Sequence, residues 1–206
     1  MNGTAKPDPD LELVEALAGG DESALTSLMD RYEEPIFHFI YRHIFNDDDA
    51  RELTQEVFVR LFFNARKFKP EAKFSTWLYQ IALNLCRDYV KSRSTRQAAR
   101  TDSLSAREVD NEHPASDVAV ENRTPSQEAQ AREMLAALDD GMAALPHDLR
   151  TALVLTTLEQ RSHQECAELL KTTSKAIETR VYRARKFLLE RMSKAGFAVL
   201  LAMLFQ

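Results

Sequence analysis

The 206-residue sequence contains few cysteines and few glycines, and these shortages exclude several classes of protein. Its two cysteines, Cys86 and Cys166, are far apart and form no CxxC motif, which argues against a disulfide framework and for a reducing, cytoplasmic environment. Five glycines provide no glycine-rich phosphate loop, and no nucleophile–base pair or complete set of metal ligands is visible. We therefore expect a protein that is not an enzyme, with no catalytic residue, metal or cofactor. The first ten residues contain no apolar run, so no secretory signal is predicted.

The fold class follows from composition and from helical periodicity. Charged residues make up 29% of a chain with only five glycines, which favours helices. Apolar residues recur at helical spacing in most of the sequence, but residues 101–126 have no such period, two prolines and an acidic excess. We predict an all-α protein of two small helical domains, with a domain at 1–100, a flexible linker at 101–126, a second domain at 127–194 and an apolar tail at 195–206.

The net charge of −5 conceals two basic blocks in an acidic chain. Residues 1–60 carry 14 acidic and 5 basic side chains, whereas residues 61–100 carry 9 basic and 2 acidic ones. Residues 161–194 are again basic, with 9 basic and 4 acidic side chains. Two separate cationic segments indicate two contacts with a polyanion.

The first basic block contains the segment KFSTWLYQIALNLCRDYVKSR, residues 73–93, which predicts a helix capped by Ser75. Its predicted buried face comprises Phe74, Trp77, Leu78, Ile81, Leu85 and Tyr89. A second stripe comprises Thr76, Gln80, Asn84, Arg87 and Lys91, all of which can donate a hydrogen bond. One face therefore suits a core, while the other presents amide and cationic groups.

The second basic block predicts a helix-turn-helix. Ser162 can cap a short helix that ends at Leu170, the residues KTT make a tight turn, and a long helix begins near Ser174. The predicted buried seam of the long helix comprises Ile177, Val181, Ala184 and Leu188.

Both halves of the sequence resemble one family. The segments DARELTQEVFVRLF, KFSTWLYQIALNLCRDYVKSR and 145–191 are similar to those of the extracytoplasmic-function sigma factors of bacterial RNA polymerase, and they occur in that family's order. The sequence around Trp77 and Asn84 is the most specific part of this resemblance. Lys171 stands in the predicted turn where the family pattern usually has glycine, and the resemblance therefore implies a position that needs a positive φ angle.

The resemblance implies that residues 1–100 form sigma region 2, which binds core polymerase and recognises and melts the −10 element. Residues 127–194 would form sigma region 4, which recognises the −35 element. The implied polymerase-binding residues are Asp49, Glu52, Leu53, Gln55, Glu56 and Phe58. The implied −10 DNA-binding residues are Arg66, Lys67, Phe68, Lys69, Lys73, Thr76, Trp77, Gln80, Asn84, Arg87 and Lys91. The implied −35 DNA-binding residues are Thr173, Ser174, Lys175, Glu178, Thr179, Arg180 and Arg183.

The implied partners are the β′ clamp and the β flap of core RNA polymerase, promoter DNA and an anti-sigma factor, with no small-molecule substrate. Two alternatives stay open at this point: a conventional helix-turn-helix transcriptional regulator, and a sigma-like decoy that titrates an anti-sigma factor.

The tail AGFAVLLAMLFQ is too short to span a bilayer. Three roles for this tail stay open: it folds back on its own domain, docks an inhibitory partner or touches a membrane surface.

Overall fold

The computed structural model describes residues 10–70, 73–100 and 136–191, and within these ranges the chain contains helices and no strand. The helices fall into two compact units. The first unit contains α1 (Leu11–Gly19), α2 (Ser23–Ile44), α3 (Asp47–Asn64) and α4 (Phe74–Arg100). The second contains α5 (136–143), α6 (His147–Leu153), α7 (His163–Leu169) and α8 (Ser174–Arg191). The predicted all-α class is confirmed, whereas the linker 101–126, the domain start near 127 and the tail 195–206 lie outside the described residues.

The connection between α1 and α2 is fixed by a glycine and a carboxylate. Gly20 adopts a left-handed conformation with φ 102°, which glycine accommodates without steric cost. Asp21 then caps α2, because the Ser23 backbone N–H and hydroxyl donate to its carboxylate at 2.9 and 2.7 Å. Both hydrogen bonds hold the pKa of the Asp21 carboxyl below its ordinary value, and the bond from the Ser23 hydroxyl has the larger effect. At the other end of α1, the buried Asp10 carboxylate accepts hydrogen bonds from Arg31 and Tyr32 of α2.

The core of the first unit is formed by apolar side chains of α2, α3 and α4. Pro35 does not interrupt α2, which is one helix from Ser23 to Ile44. Full burial of one such side chain contributes about 1.5–3 kcal/mol relative to exposure. The largest fully buried side chains of this unit are Leu28, Ile36, Phe39, Ile40, Leu61, Phe74, Leu78 and Leu83.

The buried face of α4 differs from the predicted one. Phe74, Leu78 and Leu85 are buried as predicted. Trp77, Ile81 and Tyr89 are only half-buried, and the buried face extends instead to Tyr79, Ala82, Leu83 and Cys86. The predicted cap is also wrong, since α4 begins at Phe74, before Ser75. The face is wider than a single periodic stripe because α4 packs against α2 and also reaches α3 through Tyr89.

The second unit is organised around a buried arginine. Arg150 of α6 donates to the carbonyl oxygens of Ala143 and Leu145 at 2.7 and 3.0 Å, which joins α6 to the turn that follows α5. Burial lowers the pKa of its guanidinium from the ordinary value. After Leu153 the helix widens into a π-helical turn, Val154–Leu158.

The helix-turn-helix of the second unit forms as predicted. Ser162 and Glu165 make a reciprocal capping box at the start of α7. In the turn, Lys171 has φ 51°, which confirms the predicted left-handed conformation. The buried seam of α8 consists of the predicted residues Ile177, Val181, Ala184 and Leu188.

Candidate nucleic-acid interface

The polar stripe of α4 lies on the side of the helix opposite its buried face. Asn84, Arg87 and Lys91 are exposed, and Thr76 and Gln80 are half-exposed. The Gln80 side-chain amide donates to the Asn84 side-chain oxygen (Oδ1) at 3.0 Å, so this bond leaves the N–H groups of the exposed Asn84 amide available to a ligand. The stripe therefore presents an amide donor next to two cations, an arrangement suited to a phosphate backbone with unpaired bases.

An aromatic cluster lies at the start of α4 and fixes the end of the loop that precedes it. The Phe68 ring centroid is 5.4 Å from that of Trp77 and 5.9 Å from that of Phe74. Phe74 is fully buried, and it also meets Tyr32 of α2 at 5.6 Å. Phe68 and Trp77 are each half-buried, so both rings have a structural contact and retain an accessible portion.

The cations around this loop are exposed, and Arg66 and Lys67 hydrogen-bond within the chain. The Arg66 Nε–H donates to the Ala18 carbonyl oxygen at 3.1 Å, at the C-terminal end of α1. Lys67 donates to the Asn64 side-chain oxygen at 2.8 Å. These bonds fix the 3-10 turn Ala65–Lys67 and orient its charges, while the neighbouring Lys69 and Lys73 are also exposed.

The N-terminal end of α8 is tied to the rest of the helix-turn-helix by its hydroxyl groups. The Thr173 hydroxyl oxygen accepts from the Ala176 N–H at 3.1 Å and caps the helix. The Ser174 hydroxyl donates to the Gln164 side-chain oxygen at 2.8 Å, which links α8 to α7. Both of these predicted DNA-binding residues therefore also stabilise the helix start.

The exposed face of α8 carries the remaining predicted −35 residues. Lys175 and Glu178 form an ion pair of 2.8 Å, and the Thr179 hydroxyl donates to the Lys175 carbonyl oxygen at 2.9 Å. Arg180 is half-buried, with a guanidinium nitrogen 3.6 Å from a carboxylate oxygen of Asp148. Arg183 is exposed one turn further along, and so is Tyr182. The structure thus brings these side chains onto one accessible surface, apart from the partly covered Arg180.

The predicted polymerase-binding residues of α3 divide into exposed and internal ones. Glu52 and Gln55 are exposed, and Leu53 is half-exposed. Phe58 is only 3% exposed and belongs to the core, so the prediction that it faces a partner is corrected: the side chain is on the buried face with Val57 and Leu61.

Two acidic members of this predicted set have partners within the chain. The Asp49 carboxylate accepts a hydrogen bond from the Tyr89 hydroxyl of α4, and Arg93 donates to the same hydroxyl at 3.1 Å. Burial and the bond to Asp49 raise the pKa of Tyr89. Glu56 accepts from Arg60 at 2.8 Å.

The α3 surface contains apolar residues that sequence reasoning missed. Val59, Phe62 and Phe63 are 47, 39 and 75% exposed, and the two phenylalanine rings meet at 5.4 Å. One face of α3 carries, at helical spacing, the residues Glu52, Gln55, Val59 and Phe62. The signal was present in the run VFVRLFF, which contains more apolar residues than one face of a helix can bury.

Other kinds of site are not seen in the described ranges. No group of three or more His, Cys, Asp or Glu side chains in these ranges is placed to hold a metal ion. Among the same residues, no helix has both the length and the apolar character needed to cross a bilayer.

Comparison with known proteins identifies the family. The Sigma-70 region 2 family matches residues 28–96, and the Sigma-70 region 4 family matches residues 135–188, together more than half of the chain. The ECF RNA polymerase sigma-E factor of Haemophilus influenzae is 29% identical over 182 residues, 87% of this chain and 93% of the relative. The chain belongs to the extracytoplasmic-function (ECF) sigma factors.

Two solved structures share the fold of this ECF sigma factor. CnrH, in complex with the cytosolic domain of CnrY, superposes with a TM-score of 0.64 at 24% identity and covers 95% of this chain and 99% of its own. The sigma factor RpoE of Bartonella quintana, in complex with the anti-sigma factor NepR, gives 0.63 at 20% identity, with 80% of this chain and 94% of RpoE covered. The predicted family is confirmed, and the protein is an alternative sigma factor of RNA polymerase.

Proposed function

We propose that this sigma factor positions core RNA polymerase through two separate DNA contacts, the α4 stripe at the −10 element and the exposed face of α8 at the −35 element. The observation that carries the proposal is the presence in both units of a cationic, hydrogen-bonding stripe opposite an apolar seam. The activity takes place in the cytoplasm, where transcription occurs, and nucleotide addition belongs to the polymerase.

At the −10 element, α4 and the loop before it bind the unpaired strand. Extrusion of a base from the duplex costs a few kcal/mol, which contacts available only to the melted state must offset. Asn84 offers amide donors for a base edge, while Arg87 and Lys91 neutralise phosphates. The accessible portions of Phe68 and Trp77 provide stacking surface at the end of the loop.

At the −35 element, α8 enters the major groove with its N-terminal half. The turn before α8 and the hydroxyl bonds of Thr173 and Ser174 hold the helix at a fixed angle to α7. Lys175 and Arg183 then face the DNA from the same surface, about two helical turns apart. Such cations contact either guanine edges or phosphates.

Core polymerase binds through the exposed face of α3, with the β′ clamp as the contacted part and the β flap contacting the second unit. Glu52 and Gln55 supply polar contacts, and Val59, Phe62 and Phe63 supply apolar area. Exposed aromatic residues of this kind are typical of protein–protein interfaces and are costly to leave in water. We infer that the same exposed surface also binds an anti-sigma factor, a class of partner that the structural neighbour RpoE has in its complex with NepR.

The test is transcription in vitro with core polymerase on a fragmented genomic library, followed by sequencing of transcript starts. We expect discrete starts that share two upstream motifs. Asn84→Ala lowers transcription about five- to 150-fold, corresponding to about 1–3 kcal/mol for a lost hydrogen-bonded base contact, and a template already unpaired at −10 partly restores it. The matched control is Glu33→Ala, an exposed residue of α2, which leaves transcription unchanged.

Three outcomes contradict the proposal. Stable polymerase binding without transcript starts indicates a decoy that only titrates an anti-sigma factor. A palindromic footprint without polymerase indicates a conventional regulator. Equal activity of wild type and Asn84→Ala on fully paired templates removes α4 from −10 recognition.

A further inference from the structure

Lys175 and Glu178 form an exposed ion pair in the first turn of α8. The Lys175 Nζ lies 2.8 Å from a carboxylate oxygen of Glu178, and neither side chain is covered by the rest of the unit. The pair is at positions i and i+3, so both groups point from the same face of the helix. It therefore presents a donor and an acceptor side by side on the surface proposed to enter the major groove.

A carboxylate on this surface has few favourable partners in DNA. The hydrogen bond and charge of Lys175 hold the pKa of Glu178 below its ordinary value, so the group is ionised at neutral pH. An ionised carboxylate accepts hydrogen bonds and repels phosphate, so a backbone contact is unfavourable. The favourable partners in the major groove are the exocyclic amines of cytosine and adenine.

Lys175 distinguishes between these two bases. In a C·G pair the cytosine N4 amine lies next to guanine O6 and N7, which are both acceptors. A carboxylate on the amine and an ammonium on the guanine edge then match the whole base pair. In an A·T pair the adenine amine also lies beside an acceptor, thymine O4, but thymine offers the ammonium one acceptor where guanine offers two, so the C·G pair is the better match.

We propose that Lys175 and Glu178 act as one unit that reads a single C·G pair of the −35 element, with Glu178 accepting from cytosine and Lys175 donating to guanine. This inference rests on the proposed function of α8. The neighbouring side chains do not compete for that base pair. The Thr179 hydroxyl donates its proton to the Lys175 carbonyl oxygen, and the Arg180 guanidinium lies near Asp148.

The test measures base preference with the full chain bound to core polymerase. Promoters with a randomised −35 element are selected with wild type and with Glu178→Gln, and the bound sequences are counted. We expect cytosine at one position for wild type. Glu178→Gln replaces it with adenine, a change of about tenfold in relative preference, because a glutamine amide pairs with adenine N6 and N7. Lys175→Ala weakens the preference for the same base pair.

The matched control is Glu190→Gln, which alters the other exposed lysine–glutamate pair of α8, Lys186–Glu190 at 3.8 Å, and is expected to change no base preference. The inference is overturned if Glu178→Gln raises binding equally on all sequences and increases its salt dependence, because Glu178 then only repels phosphate. If wild type and Glu178→Gln select the same −35 motif, this inference alone is overturned. Absence of any −35 motif for wild type overturns the proposed function of α8 as well.

Discussion

Lys171 occupies a turn conformation that glycine adopts at lower cost, and its replacement by glycine is expected to stabilise the second unit. Its φ angle is 51°, in the left-handed region. The turn is a Schellman motif, since the Lys171 N–H donates to the Glu168 carbonyl oxygen at 3.3 Å and the Thr172 N–H donates to that of Ala167 at 2.9 Å. The Lys171 side chain is exposed, so glycine removes no core packing.

The magnitude follows from two opposing effects on the free energy of unfolding. The left-handed conformation costs an L-residue about 1–2 kcal/mol, which Lys171→Gly recovers. Glycine loses about 0.5–1 kcal/mol more backbone entropy than other residues on folding. The net gain is about 0.5–1 kcal/mol, which raises the Tm of a domain of this size by about 2–8 °C.

The assay is scanning calorimetry of the full chain, with the transition of the second unit compared between variants. Lys171→Ala is the first control, since it removes the charge but keeps a Cβ atom, and it gives no comparable gain. Thr172→Gly is the second control, because Thr172 is not among the residues with positive φ and glycine there lowers stability. A Tm for Lys171→Gly equal to or below that of the original chain would refute the strain argument.

Three further predictions concern buried or capping groups. Arg150→Met removes the two bonds to the turn after α5 and lowers stability by about 2–4 kcal/mol in urea unfolding, whereas the exposed Arg185→Met changes it by less than about 0.5 kcal/mol. Ser162→Ala breaks the capping box and costs about 1 kcal/mol; unchanged stability would show that the cap contributes nothing. Burial raises the pKa of Cys86 to about 12 and of Cys166 to about 11, from 9.0. Because the thiols ionise at lower pH in the unfolded chain, their contribution to the free energy of unfolding is complete below pH 9 and is lost as pH rises toward 12. At pH 8 the native protein should resist a thiol-alkylating reagent that labels it in urea.

Sequence patterns were sufficient where one periodic stripe or one local cap decides the structure. The α8 seam from Ile177 to Leu188 follows the helical repeat, and Ser162 with Glu165 forms a cap from residues three apart. The polar stripe of α4 was also predictable, because donors at positions such as Asn84 and Arg87 cannot be buried without partners. These features depend on contacts within a helix turn.

The sequence therefore determined the helical class, the family, the helix-turn-helix and the existence of two basic surfaces. Only the tertiary structure decided which apolar residues are covered: Phe58 is internal, whereas Phe62 and Phe63 are exposed, although all three are phenylalanines of the same helix. It likewise decided that Arg66 reaches the end of α1 and that Tyr89 binds Asp49, 40 positions away in the chain. The physical reason is that a helix pattern fixes the direction of each side chain, whereas burial and pairing depend on which other helix lies against it.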